Sequence, residues 1–156
     1  MPKLLYFLPC DRVILSKEDT LSLITIIEYV TVTLDPQKVD GMPEDGGVPK
    51  EWVVVSAYEW GASDFERKYE QRVRLILSNG RVTTETITKI PREPDKKRSR
   101  NIVTVLGFPI VPPGEASLQL AIREISQENW QDIADYTITI THKIDAPESP
   151  PATSIA

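Results

Sequence analysis

The chain has 156 residues, with 18 Lys and Arg against 23 Asp and Glu, for a formal net charge of −5 at pH 7. A single Cys and a single His exclude a disulfide framework and any zinc site built mainly from thiolates. An apolar fraction of 40% at this length predicts one globular domain. The acidic balance argues against nucleic-acid binding over a broad surface.

The N-terminal segment is apolar over residues 4–8, but Pro9 and Asp11 end the run. It is shorter than the roughly 7–15 apolar residues of a secretory signal. The later apolar region, residues 21–34, is interrupted by polar side chains and cannot span a bilayer. We therefore expect a cytoplasmic protein with a reduced Cys10 and no membrane contact.

Alternation with a period of two dominates the chain, as in Val73, Leu75 and Leu77, and β-branched residues are frequent in these runs. The predicted strands are 3–8, 11–15, 21–27, 29–34, 52–60, 68–77, 81–90, 101–110, 116–124 and 134–142. Some neighbours can form one bent strand, so the count is eight or nine. The best helical candidate, residues 126–132, is only a turn or two. We predict an all-β fold, a single antiparallel β-sandwich of immunoglobulin-like or jelly-roll-like type.

The sharpest turn signal is the sequence Ser78-Asn79-Gly80-Arg81 between two alternating runs. Both central residues tolerate positive φ, which predicts a two-residue type I′ hairpin.

Three segments fall outside the predicted strands. Residues 35–51 are rich in Pro, Gly and acids, and residues 91–100 are rich in cations. Residues 145–156 carry three prolines and no apolar period. We expect the β-sandwich domain to span 1–143, followed by a disordered, Pro-rich tail at 144–156.

Four stretches of sequence resemble a known family: LLYFLPCDRVILSKEDTLSLITIIE, EWVVVSAYEW, GFPI at residues 107–110, and WQDIADYTITI. The family is one of short bacterial single-domain proteins with a domain of unknown function. The resemblance reaches to about His142 and implies a small β-sandwich. It implies no activity, substrate or catalytic residue.

Three isolated features have structural explanations that we favour. A reactive Cys10 thiolate would need a nearby cation or a base. The charge of Asp11 offsets that of Arg12, and His142 is the one histidine that could act as the base, so we expect a buried, unreactive thiol. His142 falls on the core-facing positions of its predicted strand and lies at the end of that strand, where its ring can reach a backbone carbonyl. The acids of residues 40–45 fit no calcium-loop pattern and indicate a solvated loop. No catalytic residue, metal or cofactor is predicted.

The basic segment, defined as residues 92–100, combines five cations with two acids, for a formal charge of +3. Its cations are Arg92, Lys96, Lys97, Arg98 and Arg100. One interpretation is that these cations bind phosphate or an acidic partner. The favoured interpretation is a flexible connection that its charge keeps soluble. No aromatic residues interleave them, so sequence-specific nucleic-acid recognition is not supported.

The aromatic row consists of Trp52, Tyr58 and Trp60, which share one face of a predicted strand with Val54 and Ser56. If that face is exposed, the rings can stack on sugars or anchor a partner. If it is internal, the rings are the largest pieces of the core. We favour the core, because each ring removes about 150–250 Å² from water.

These features predict a non-enzymatic interaction or structural module that contacts another protein or a second copy of itself. The sequence shows no nucleophile–base pair, paired-carboxylate signature or phosphate-binding glycine loop. The alternative is a carbohydrate-binding-like sandwich that uses an exposed aromatic row.

Overall fold

The structure is a computed structural model that describes residues 1–35, 43, 45–64, 66–110 and 112–144. The strands are β1 (Lys3–Leu15), β2 (Leu21–Ile26), β3 (Tyr29–Leu34), β4 (Gly47–Glu59), β5 (Tyr69–Ile76), β6 (Val82–Lys89), β7 (Arg98–Pro109), β8 (Gly114–Glu124) and β9 (Gln131–Ile144). One 3₁₀ turn, Ala62–Asp64, follows β4. The all-β prediction is confirmed, and residues 3–8 and 11–15 form one strand.

Several strands are longer than predicted. β4 begins at Gly47 and β7 at Arg98, so both take residues that the sequence placed in connecting segments. β9 includes Ile144, the residue at which the predicted tail begins. Residues 145–156 and most of the acids of residues 40–45 lie outside the described residues.

The strands form two sheets. The first has the order β2-β1-β4-β7 and the second the order β3-β9-β8-β5-β6. Every neighbouring pair is antiparallel except β3 and β9, which run parallel from Tyr29 opposite Thr139 to Leu34 opposite Ile144. The prediction of a purely antiparallel arrangement is therefore wrong at this edge. A parallel pair needs no local turn, so the sequence carried no signal for it.

The inner faces of both sheets contribute to one core. Trp52 and Val54 of β4 lie in the same cluster as Val73 of β5 and Leu118 of β8. The Trp52 ring meets Phe108 edge-on at 5.4 Å between centroids. This burial of alternating apolar residues is the main favourable contribution to the stability of the fold.

The outer face of β4 is also covered. Val53 and Val55 point away from the main core and form a second cluster with Cys10. Partly buried side chains of the β1–β2 hairpin pack against this cluster, including Val13 and Leu23. Side chains of β1 and β2 therefore cover part of the outer face of β4, which explains why β4 is buried on both faces. The predicted burial of Cys10 is confirmed.

The β5–β6 turn differs from the predicted type I′ hairpin. Gly80 has φ of +83°, whereas Asn79 is not among the residues with positive φ. The Gly80 amide donates to the Leu77 carbonyl at 2.8 Å, and the Leu77 amide donates to the Arg81 carbonyl at 2.9 Å. The bond from Gly80 to Leu77 closes a four-residue turn whose last residue is the left-handed glycine. This is the pattern of a three-residue hairpin loop. The left-handed Gly80 agrees with the sequence, and the type I′ assignment is wrong.

Candidate functional site

The aromatic row is internal. Trp52 and Tyr58 are 0% exposed and Trp60 is 5% exposed. β4 lies between β1 and β7, and its aromatic face looks toward the second sheet. The core interpretation is confirmed, and the alternative of an exposed row is wrong, because the second sheet covers these rings.

A buried polar cluster joins the two sheets beside the main core. The Tyr58 hydroxyl donates to Gln71 Oε1 at 2.7 Å, and the Ser56 hydroxyl donates to the same oxygen at 2.6 Å. Burial raises the pKa of Tyr58 to about 12, so the phenol stays neutral at physiological pH. The geometry gives this tyrosine a structural role.

Trp60 stands where the aromatic row meets the basic segment. Its backbone amide donates to the Lys97 carbonyl at 2.8 Å, and its indole donates to the Ser99 hydroxyl at 2.9 Å. The Arg92 guanidinium lies 5.4 Å from the Trp60 ring centroid. Two features that the sequence presented separately are therefore in contact, with a cation–π arrangement between them.

Trp60 and Arg92 both line a cleft of about 440 Å³, which we call the end cleft. Trp60, Tyr69 and Ile90 form its nearly covered apolar base. The remaining lining residues are Glu66, Arg67, Lys68, Lys89, Arg92, Pro94 and Ile125. Four cations and one acid give this lining a formal charge of +3 within a chain of −5. The end cleft is therefore a local basic site in an acidic protein.

Asp64 contacts two residues that line the end cleft, Tyr69 and Arg92. It is 2% exposed, and its carboxylate contacts the Met1 ammonium at 2.6 Å, the Tyr69 hydroxyl at 3.0 Å and the Gly61 amide at 3.1 Å. Burial by itself would raise its pKa, but these hydrogen bonds hold the pKa of Asp64 below its ordinary value. The Asp64 carbonyl also accepts a hydrogen bond from Arg92 at 3.3 Å. Asp64 thus holds Tyr69 through its carboxylate and Arg92 through its backbone carbonyl.

The other cations of the basic segment lie away from the end cleft. Lys96 pairs with Glu93 at 2.9 Å, and Arg98 pairs with Glu59 at 3.3 Å. Arg100 contacts the Asp19 carboxylate at 2.8 Å. These three cations are therefore paired with acids of the same chain. Among the cations of the basic segment, Arg92 lines the end cleft.

The sequence did not single out Arg67, Lys68 or Lys89. They come from the β4–β5 connection and the end of β6, and only the pairing of β5 with β6 brings them together. Trp130 was also missed. It lies 4.8 Å from Arg72 and 4.4 Å from Arg123, measured from each guanidinium carbon to its ring centroid. No local spacing marks such clusters.

The remaining candidates have structural surroundings. A ring nitrogen of His142 contacts the Ile110 carbonyl at 2.6 Å, as its strand-end position allows. Burial raises the pKa of the Cys10 thiol, which lowers its thiolate fraction. The described ranges hold no group of three His, Cys, Asp or Glu side chains placed to bind a metal ion. Within those ranges no helix has the length and apolarity needed to cross a bilayer.

Compared with models of known protein families and with curated proteins, the sequence matches none. Cations around an apolar base can bind an anionic group and hold it without reacting with it.

Proposed function

We propose that the protein is a non-enzymatic interaction module of β-sandwich type that binds an acidic segment of a partner protein at the end cleft. One observation carries this proposal: the fold gathers Arg67, Lys68, Lys89 and Arg92 around a single concavity of about 440 Å³. Such convergence favours a carboxylate-bearing partner, since opposite charges attract most strongly in a partly desolvated cleft.

The surroundings of the reactive side chains support binding over catalysis. Cys10 is buried with a raised pKa, and His142 is engaged with a backbone carbonyl. Tyr58 is buried and neutral. A nucleophile needs access to its substrate, and neither Cys10 nor Tyr58 has that access.

The charge distribution favours a short acidic segment over a long polyanion. The net charge of −5 repels an extended nucleic acid, whereas the end cleft is locally positive. Membership of the family of short bacterial β-sandwich proteins and a cytoplasmic location belong to the same proposal. The resemblance of the sequence segments supports the first, and the free Cys10 supports the second.

The test is the binding of a fluorescently labelled, Glu-rich peptide, followed by anisotropy at about 50 and about 500 mM salt. We expect binding to weaken steeply with salt and to be lost in the double variant Lys68→Glu/Lys89→Glu. The matched control is Lys17→Glu/Lys143→Glu, which makes the same change in net charge at exposed positions elsewhere. The proposal fails if the parent does not bind the peptide, or if the two double variants bind it equally well.

A further inference from the structure

We propose that the end cleft recognises an acidic segment that carries one large apolar side chain as an anchor, with carboxylates near it. This inference rests on the proposed function and adds the chemistry of the residue that enters the cleft. Three features support it: an apolar wall beside the cations, a concavity of about 440 Å³, and two exposed lysines.

The apolar wall is formed by Ile125 and Pro94. Ile125 is 42% exposed, and Pro94 is also exposed. Both line the end cleft together with its nearly covered base. A purely acidic chain would leave this wall in water, whereas a leucine or aromatic side chain would cover it.

The wall is fixed relative to the cations. The Ile125 amide donates to the Lys68 carbonyl at 2.9 Å, which joins the end of β8 to the residue that precedes β5. Arg92 is held by its stacking on Trp60 and its hydrogen bond to the Asp64 carbonyl. A site whose apolar and charged parts are already in place loses little entropy when a ligand binds.

The volume also favours a side chain that enters the cleft over a contact across a flat surface. About 440 Å³ lies within the range of about 300–1,000 Å³ typical of pockets that enclose compact ligands. An apolar anchor that fills such a pocket is the usual centre of a tight peptide contact.

Lys68 and Lys89 are the cations available to carboxylates of the partner. Both are exposed, and neither forms a salt bridge within the described ranges of the chain. Arg67 is less available, since it contacts Glu124 at 3.4 Å. The partner therefore needs more than one acid near the anchor rather than one isolated carboxylate.

The experiment compares two Glu-rich peptides that are identical except for a central Leu in one and a central Ser in the other. On the parent protein we expect the Leu peptide to bind about tenfold more tightly, a difference of ~1.4 kcal/mol. Ile125→Ser should remove that advantage and leave the affinity for the Ser peptide unchanged. Ile24→Ser, at a similarly exposed isoleucine of β2, is the matched control and should keep the advantage.

The outcomes separate this inference from the proposed function. Equal affinities of the parent for both peptides, or an advantage that survives Ile125→Ser, would overturn the anchor and leave the acidic-segment proposal standing. Failure of both peptides to bind the parent overturns the proposed function and the anchor with it. Circular dichroism of both variants verifies that each is folded, which is expected because both isoleucines are substantially exposed.

Discussion

Asp19 and Arg100 are 81 residues apart in the chain, yet the Arg100 guanidinium donates to the Asp19 carbonyl at 2.8 Å. The same guanidinium contacts the Asp19 carboxylate at 2.8 Å. Asp19 turns the chain between β1 and β2 with φ of +62°. The contact therefore fastens the tip of the β1–β2 hairpin to β7, and Arg100 has a role within the fold.

This fastening predicts the reactivity of Cys10. The thiol is 0% exposed and lies in the cluster that the β1–β2 hairpin covers, so it should react with an aromatic disulfide reagent only when the hairpin opens. Arg100→Ala should accelerate labelling about fivefold, as expected for a loss of ~1 kcal/mol in the stability of the closed hairpin. Absorbance of the released thiol under native conditions measures the rate.

The control for this prediction is Arg98→Ala, which removes an exposed contact with Glu59 and leaves Asp19 untouched. Its labelling rate should match that of the parent. Equal rates for Arg100→Ala and the parent would show that the contact with Asp19 does not hold the hairpin closed.

Asp64 should make the free energy of unfolding depend on pH. Its pKa is lowered in the folded state, so its contribution is present above the ordinary carboxyl pKa of about 3.9 and is lost as the pH falls through the folded value. Asp64→Asn should cost about 1–3 kcal/mol at neutral pH, because a buried charged acceptor is replaced by a neutral one. It should also flatten the acid limb of the stability curve.

Denaturant midpoints measured between about pH 7 and about pH 2 test this expectation across the titration range of a carboxyl group. Asp95→Asn, at an exposed position, serves as the matched control and should follow the parent. Parallel pH curves for Asp64→Asn and the parent would contradict the assigned role of this carboxylate.

Gly80 should resist substitution by a β-branched residue. Its φ of +83° lies in the left-handed region, and a side chain there would meet no atom within 4 Å, so the cost is conformational. Gly80→Val should lower stability by roughly 1–2 kcal/mol. Gly80→Asn should be much milder, since Asn tolerates this conformation. Unchanged denaturant midpoints for the valine variant would refute this explanation.

The sequence by itself determined the strands that alternate. In β5, Val73 and Leu75 point into the core and Arg72 and Arg74 do not, because successive side chains of a strand point to opposite faces. Local chemistry also identified the left-handed Gly80, since a turn is decided by the few residues that form it. The burial of the aromatic row followed from the large apolar area of its rings.

Only the tertiary structure decided which strands are neighbours and which surface residues meet. β3 pairs in parallel with the last described strand, and the Thr31 and Thr141 hydroxyls, 110 residues apart, lie 3.0 Å from each other. The end cleft likewise depends on β5 lying between β8 and β6, which brings Lys68, Lys89 and Ile125 together. The alternation of apolar and polar residues indicates which face of a sheet each side chain occupies. The pairing of distant strands depends instead on the packing of both sheets around their shared core.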